Sequence, residues 1–379
     1  MGLSLVMAFM AIYLVSERGL SGTTTGFIYL GANVLQAFSQ AWAGSFSDRV
    51  GRRVMMVAAL LARVVLIAAL GILVSMDAPV WAISIALYAS WIVRGWFEPV
   101  AYAAVADLTT PAERVSAFGL QKMGVNLGWA AGPAIGGLLM HWLDYGTVFF
   151  CAAPVILVAA VGVARIRDAG REPMQRESVV DALRNFSWEP VVVLFLGCAI
   201  LGGLVHGQMF STFSLYVKDG VGLDEDLIGA LWAINAACVI LLQVPAVGLI
   251  DRIGVRAALV LAPLLYATAF LGFGIAEGFG MLAISIAVLT VGEVMFEPAQ
   301  QTAAAQMADP DRMGRAMGLL GLMRMLGLAG ALPVGGAAFD AFRNAPLSMW
   351  TVIATIAVAL ALGFVAFAIA ARAGVHFAR

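Results

Sequence analysis

Charged side chains are scarce in this sequence. Asp, Glu, Lys and Arg make up 12% of its 379 residues, against roughly 25% in soluble globular proteins. Hydrophobic residues make up 62% and lie in long continuous runs, whereas a transmembrane β-barrel shows short alternating segments of roughly ten residues. The composition therefore excludes a water-soluble domain and favours an all-α membrane protein.

Several kinds of functional site are also missing. Cys151, Cys198 and Cys238 lie in apolar segments without CxxC or Cys/His spacing, so neither a disulfide framework nor a metal site is predicted. A net charge of -1 without a basic patch argues against nucleic-acid partners. No GxxxxGK[ST] loop and no pairing of a nucleophile with a base is visible, so we expect neither ATP use, nor a cofactor, nor an enzyme.

Apolar runs long enough to cross a bilayer recur along the chain. A membrane-spanning helix needs about 20 residues, and in lipid it satisfies its own backbone polar groups. We predict twelve spans, at 1–16, 25–46, 54–75, 80–106, 115–139, 147–164, 190–217, 227–249, 256–276, 280–307, 314–338 and 347–371. The first is short, so we expect that some residues precede Met1 in the complete protein.

The basic residues predict how these spans are oriented. Fifteen Lys and Arg residues fall in one set of loops and in the C-terminal tail, and three fall in the opposite loops. By the positive-inside rule the richer side faces the cytoplasm. We therefore expect an inner-membrane protein, monomeric in the lipid bilayer, with both termini inside the cell.

The two halves of the sequence are copies of each other. Offsets of 199 to 203 residues match Tyr13 to Tyr216, Gly19 to Gly222, Gly51 to Gly254, Phe97-Glu98-Pro99 to Phe296-Glu297-Pro298, Pro133 to Pro333 and Gly136 to Gly336. Six spans in each copy predict parallel repeats about an axis along the membrane normal. We predict six-helix bundles at 1–164 and 190–379, joined by a cytoplasmic linker at 165–189 that contains a short surface helix.

A charged glycine turn follows span 2 and recurs after span 8. Its residues are Asp48, Arg49, Gly51, Arg52 and Arg53 in the first copy, and Asp251, Arg252, Gly254 and Arg256 in the second. Such a turn places a carboxylate and several guanidinium groups at the membrane face, where they bridge helix ends or serve as a positive anchor.

This duplicated turn resembles the loop signature of the major facilitator superfamily. The resemblance implies a charge latch, formed by Asp48 and its arginines, that holds the halves closed on the cytoplasmic side in the outward-facing state. The second copy has Val247 and Val255 where the first has Gly44 and Arg52, so we expect the first copy to matter more.

Span 5 carries a stripe of small residues, made of Gly124, Gly128, Gly132, Pro133, Gly136 and Gly137. Glycines four residues apart let another helix approach closely, as on any small-residue packing face. The GPxxGG ending is similar to the signature of the 12-span drug/proton antiporter branch of the superfamily. That resemblance implies export rather than import.

Seven ionisable residues are predicted inside the spans, where charges are costly and line cavities or pair. They are Arg63, Arg94, Lys122 and Arg324 against Glu98, Glu293 and Glu297. Two interpretations stay open: ion pairs that fix helix positions, or at least one Glu that takes up and releases a proton. Glu98 is the first candidate for that Glu, since it shares a helix face with Arg94, and Glu293 is the second.

Further resemblance refines these candidates. Arg94 resembles the fourth-span arginine of the antiporter branch, which is associated with proton movement. Many members of that branch carry an acidic residue in the first span, and none is present between Met1 and Ser16. That absence weakens an assignment to cationic drugs. Polar residues expected in the substrate cavity are Asn33, Gln36, Arg63, Asn126, His206, Asn235 and Arg324.

The first hypothesis is a secondary active transporter that uses a proton gradient to expel small amphipathic compounds by alternating access. It predicts an all-α fold of two pseudo-symmetric bundles with a cavity at their interface. The alternatives are a proton-coupled importer of a small metabolite or organic anion, served by the buried basic residues, and an uncoupled facilitator.

Overall fold

A computed structural model describes residues 2–110, 113–166, 189–307 and 313–374, and within these ranges the regular structure is helical without a strand. Twelve α-helices are described: α1 Gly2–Ile12, α2 Gly22–Val50, α3 Arg52–Ser75, α4 Val80–Leu108, α5 Arg114–Met140, α6 Tyr145–Ala164, α7 Pro190–Gly207, α8 Glu225–Ile253, α9 Val255–Gly274, α10 Phe279–Met307, α11 Met313–Ala341 and α12 Pro346–Gly374. Nearly all of the predicted linker, 167–188, lies outside the described residues.

The duplication is visible in the backbone. Short π-helical segments, Tyr13–Glu17 and Tyr216–Val221, begin at matched tyrosines. Each is followed by a matched glycine in the left-handed region, with φ of 68° at Gly19 and 78° at Gly222. Glycine reaches this region without the steric cost of a Cβ. The two copies therefore turn back into the membrane by the same local geometry.

The charged turns are tighter than predicted. Helix α2 continues through Asp48 and Arg49 to Val50, and α8 continues through Asp251 and Arg252 to Ile253. Only Gly51, with φ of 107°, separates α2 from α3, and Gly254, with φ of 87°, separates α8 from α9. The helices therefore continue four residues beyond the predicted span ends at 46 and 249, because a single left-handed glycine suffices to reverse the chain.

Span 7 also differs from its prediction. The predicted block 190–217 is not one α-helix, because α7 ends at Gly207 and two π-helical segments follow, Met209–Phe213 and Tyr216–Val221. The extra residue per turn in a π segment rotates the side chains after it relative to those before it.

Nine helices of the described chain are long and apolar enough to cross a membrane: α3, α4 and α6 to α12. The apolar helical stretch Ser4–Glu17 is shorter. Helices α2 and α5 have the length of spans, 29 and 27 residues, but carry more small and polar residues.

The chain forms two compact units. The first comprises Met1–Leu20, Phe27–Gln175 and Asp224–Ala233, and the second Ser21–Gly26, Arg176–Leu223 and Ile234–Arg379. Part of the first core is a cluster of Ala43, Met55, Met56, Val100 and Ala104 from α2, α3 and α4. In the second unit Trp350 stacks on Phe270 and meets Tyr216 and Phe273 edge-on.

Candidate functional site

Helices α2 and α4 approach closely at the level of the predicted charge cluster. A Cβ on Gly95 would lie 2.8 Å from the carbonyl oxygen of Gln36, so only glycine permits this approach. The Ser39 hydroxyl donates to the carbonyl of Ile92 at 2.7 Å, and the Tyr29 and Trp91 rings meet edge-on. This packing holds the part of α4 that carries Arg94 and Glu98 against α2 in the first unit.

Arg94 is held by soft and aromatic partners rather than by a carboxylate. Its Nη1 lies 3.8 Å from the Met7 sulfur, and its guanidinium carbon lies 5.4 Å from the centre of the Trp129 ring and 6.0 Å from that of Trp91. A guanidinium over an aromatic face gains cation–π energy, most when water is excluded. Arg94 therefore has stabilising contacts other than a hydrogen-bonded ion pair.

Glu98 and Arg63 complete this cluster. Arg63 is 8% exposed, and its Nε and Nη2 donate to no partner among the described groups. It lies close enough to Arg94 and Glu98 for their charges to act on it. Glu98 forms no hydrogen bond or ion pair with any side chain that the structure describes, and the Lys122 side chain is outside the described set. The predicted pairing of Glu98 has no described partner.

The matching part of the second unit is arranged differently. The Glu297 carboxylate pairs with the Arg324 guanidinium, so one predicted intramembrane ion pair is present. Glu293 accepts a hydrogen bond from Asn235 Nδ2 at 3.1 Å, and the same amide donates to Thr290 Oγ1 at 2.8 Å. Glu297 is thus neutralised in place, whereas Glu293 is held by a neutral amide.

His206 lies beside this second cluster. Its Nδ1 is 3.4 Å from the Tyr266 hydroxyl, and its ring meets Phe210 edge-on. Tyr266 is close enough to Glu293, Glu297 and Arg324 for their charges to act on its hydroxyl. Five helices, α7 to α11, therefore contribute to one polar cluster within the second unit.

Among the described residues, the remaining predicted cavity residues form no hydrogen bond to the charged side chains of these clusters. Gln36 is 1% exposed, and neither of its amide atoms has a hydrogen-bond partner among the described residues. Asn33 donates to the carbonyl of Tyr29 in its own helix at 2.8 Å. Asn126 is exposed.

The glycine stripe of α5 packs against α1. Gly128 accepts a hydrogen bond from the Ser4 hydroxyl at 2.8 Å, and Cβ atoms on Gly132 and Gly136 would lie within 3 Å of Ser4 and Phe9. A Cβ on Gly124 would meet nothing within 4 Å. The packing face predicted for the stripe therefore begins at Gly128.

The end of the stripe meets the start of α8. A Cβ on Gly137 would lie 2.7 Å from the Gly229 Cα. In the other copy Gly26 approaches Pro333 equally closely, with 2.6 Å between its Cβ position and the Pro333 Cα. The segments 132–137 and 332–336, each with a proline, thus both pack against a glycine near the start of another helix.

The first charged turn is partly described. Arg52 Nε pairs with Asp107 Oδ2 at 3.1 Å, and its Nη1 donates to the Ser47 hydroxyl at 2.5 Å. Arg49 and Arg53 are exposed, as are Asp251 and Arg252, while Arg256 is half-buried. The side chain of Asp48, which the latch hypothesis needs, lies outside the described set.

Sequence reasoning missed a carboxylate that caps α2 across 318 positions of sequence. Asp340, at the end of α11, accepts from Gly22 N and Thr23 N at 2.8 Å each, and from the Thr23 hydroxyl at 2.6 Å. Tyr145 and Glu225 are likewise hydrogen-bonded through their side chains. The sequence shows only that Asp340 is an acidic residue near the end of a predicted span. It does not indicate which helix this carboxylate caps.

The fold, with its long apolar helices and its charge clusters inside them, defines an integral multi-pass membrane transporter. The family model described as Major Facilitator Superfamily matches residues 1–224 and 195–376. The chain therefore belongs to the Major Facilitator Superfamily. The members of this family that it resembles are transporters and not enzymes. Transporters of this kind bind small-molecule substrates.

Several curated proteins resemble the chain over most of its length. The uncharacterized MFS-type transporter YqjV of Bacillus subtilis is 23% identical, over 97% of this chain and 90% of the relative. Multidrug resistance protein 1 of the same organism is 25% identical, over 95% and 94%. Multidrug resistance protein MdtH of Proteus mirabilis is 24% identical, over 90% and 84%.

Solved structures agree on the fold. The nucleoside transporter NupG superposes with a TM-score of 0.77 at 13% identity, over 97% of this chain and 96% of that chain. A D-xylose-proton symporter superposes with a TM-score of 0.75 at 15% identity, over 95% and 93%.

Proposed function

We propose that this protein is a proton-driven exporter of small amphipathic compounds. The resemblance of its fifth helix to the drug/proton antiporter signature supports export, and two relatives named for multidrug resistance support the substrate class. We further propose an inner-membrane location with both termini in the cytoplasm, and a monomer as the working unit.

The observation that carries the coupling is the environment of Glu98. A carboxylate inside a membrane span is costly unless it is paired, hydrogen-bonded or protonated. Glu98 has no described hydrogen-bond or ion-pair partner, and Arg94 beside it is stabilised by Trp91 and Trp129. Proton uptake by Glu98 therefore breaks no described contact. It changes the charge that acts on Arg63 and Arg94, and thereby favours one state of the transporter over the other.

The test is transport in proteoliposomes carrying an imposed pH gradient, with a fluorescent amphipathic substrate. Glu98→Gln keeps the shape and removes the titratable group, so gradient-driven accumulation is expected to fall at least tenfold. Glu277→Gln, an exposed Glu between α9 and α10, is the matched control and should behave as the parent. Undiminished accumulation by Glu98→Gln would rule out the coupling role.

A second candidate is import of an organic anion, which the buried and unpartnered Nε and Nη2 of Arg63 favour. A guanidinium binds a carboxylate through two parallel hydrogen bonds. Uptake of radiolabelled benzoate by the same proteoliposomes, lost in Arg63→Gln, would support this candidate. The exporter proposal predicts that the parent protein takes up no benzoate.

A further inference from the structure

Met7 is the part of α1 that stays accessible. Among the described residues of α1 all but Met7 are buried, including Val6 and Ala8 beside it. The Met7 sulfur lies 3.8 Å from Arg94 Nη1, so the thioether points toward the charge cluster of α4. Thioethers are soft and adaptable, and they are common at surfaces that bind varied apolar ligands. Met7 is therefore a candidate contact for a ligand.

Trp129 of α5 is a second accessible group beside Arg94. Its ring centre lies 5.4 Å from the guanidinium carbon of Arg94, and both side chains are half-buried. Val125 and Asn126, one turn earlier on the same face of α5, are exposed. Charged groups inside a span face the bundle interior or a cavity. The indole beside Arg94 therefore faces inward as well.

Packing between α1 and α5 fixes Met7 and Trp129 relative to each other. The Ser4 hydroxyl, one turn before Met7, donates to the carbonyl of Gly128, the residue before Trp129, at 2.8 Å. Met7, Arg94 and Trp129 all belong to the first unit. Three helices, α1, α4 and α5, thus bring a thioether, a guanidinium and an indole together.

These three groups share a preference for aromatic rings. An indole stacks with other rings at centroid distances of about 4.5–7 Å, and a thioether sulfur contacts a ring at about 5 Å. A guanidinium stacks on a ring face. A saturated group of the same size gains none of these contacts. The chemistry of the site therefore favours a flat aromatic ring.

The charge of the surroundings narrows the class of ligand further. Arg63 and Arg94 outnumber Glu98 in the described cluster, and no acidic residue is present between Met1 and Ser16. A cationic group placed beside Arg94 is repelled, and the repulsion grows when Glu98 is protonated. An uncharged aromatic ring meets no such penalty.

We propose that Met7, Arg94 and Trp129 form a slot that binds the flat, uncharged aromatic ring of an amphipathic substrate. The proposal rests on the exporter function and names its substrate class. The ring contacts the Trp129 indole and the Met7 sulfur, and the Arg94 guanidinium meets its π electrons. Arg94 therefore attracts aromatic ligands and excludes cationic ones.

The test compares competitors built on one carbon skeleton. Each displaces dansylamide, a neutral fluorescent aromatic probe, from the purified protein at pH 7.5. They are 2-naphthalenemethanol, its saturated analogue decahydro-2-naphthalenemethanol, and 2-naphthylmethylamine, which is positively charged at this pH. The parent is expected to bind the naphthalene alcohol at least about threefold more tightly than either of the others. The saturated alcohol is the more hydrophobic, so a merely apolar site gives the reverse order.

Substitutions assign this preference to the slot. Trp129→Leu keeps an apolar side chain without the aromatic face, so the preference for the naphthalene over the saturated alcohol should fall below about twofold, with binding of the saturated alcohol unchanged. Trp129→Phe should keep most of the preference. Arg94→Gln should bind the ammonium compound at least as tightly as the naphthalene alcohol. Trp142→Leu, which removes an exposed tryptophan just after α5, should behave as the parent.

Several results would overturn the proposal. One is a parent that does not bind dansylamide, or that binds the saturated alcohol as tightly as the naphthalene alcohol. Another is a preference that persists in full in Trp129→Leu. Equal weakening of all competitors in Trp129→Leu would also overturn it, because it would indicate a structural role.

The outcome is separable from that of the exporter proposal. Binding is measured without a gradient, and Glu98→Gln leaves the three side chains of the slot in place, so it should keep the aromatic preference even where coupling is lost. Gradient-driven transport that survives in Glu98→Gln would refute the coupling role alone.

Discussion

Removing the Asp340 carboxylate should loosen the contact between the start of α2 and the end of α11. Asp340 accepts three hydrogen bonds from Gly22 and Thr23. Loss of an N-cap side chain costs about 1 kcal/mol, and loss of a negative charge at a helix N-terminus adds about 0.5 kcal/mol. Because Asp340 is exposed, we use these central values for a total of about 1.5 kcal/mol, or about a tenfold change in the open fraction.

The assay is the labelling rate of a cysteine placed at Thr25, which is 4% exposed, in a background with the three native cysteines replaced by serine. Labelling with a polar maleimide requires that the contact opens. We expect Asp340→Ala to raise the rate about tenfold, and Asp340→Asn, whose amide oxygen still caps a helix, to raise it less than about threefold.

The matched control is Asp144→Ala. Asp144 caps its own helix, α6, through Thr147 N and Oγ1 at 2.8 Å each, so its removal weakens a helix start of the same chemistry elsewhere. It should leave labelling at position 25 unchanged. Equal rates in the parent and Asp340→Ala would refute the reasoning, as would an equal rise in Asp144→Ala.

Two other predictions concern the ends and faces of helices. Gly132→Ala should lower the thermal midpoint in detergent, because its Cβ would overlap the Ser4 hydroxyl oxygen and overpacking costs about 1–3 kcal/mol. Gly124→Ala should leave the midpoint unchanged, because its Cβ would meet nothing within 4 Å. An equal drop in both variants would contradict the packing. Asp144 has a pKa below its ordinary value because Thr147 donates two hydrogen bonds to it. The stabilisation by the Asp144 carboxylate is therefore fully present above the pKa that Asp144 has in the unfolded chain. It is lost as the pH falls through the lower pKa of Asp144 in the folded protein. The difference in thermal midpoint between the parent and Asp144→Ala should therefore shrink on acidification. A difference that grows instead would contradict this sign.

Most of the twelve helices in the described ranges were predictable, because nine of them are long and apolar. The ends of the helices were harder to predict. The hydropathy of residues 47–50 does not distinguish the last turn of α2 from a loop, since Arg49 is exposed in either case. The π-helical segments after Ile12 and Gly207 leave no mark in composition. They became visible only as a shared backbone path at Tyr13 and Tyr216.

The charge clusters were predictable as a set but not as pairs. The sequence indicates that Glu98, Glu293 and Glu297 lie in spans, and the repeat suggests that Glu98 and Glu297 are equivalent. Their surroundings come from other helices, however, and these have diverged: Arg324 on α11 pairs with Glu297, whereas no described side chain pairs with Glu98. Equivalence of position therefore did not predict equivalence of role.

The left-handed glycines bear on how the two copies have evolved. A side chain would have room at Gly19, Gly222 and Gly254, since nothing lies within 4 Å of a Cβ there. An L-residue would still be unfavourable at these positions, because the left-handed conformation costs it roughly 1–2 kcal/mol. A substitution at these sites is therefore opposed by the backbone conformation and not by a lack of volume. The two copies share glycines at turns where the backbone requires an achiral residue. These shared turns do not constrain the side chains inside the spans, where one copy has Arg94 and the other has Glu293.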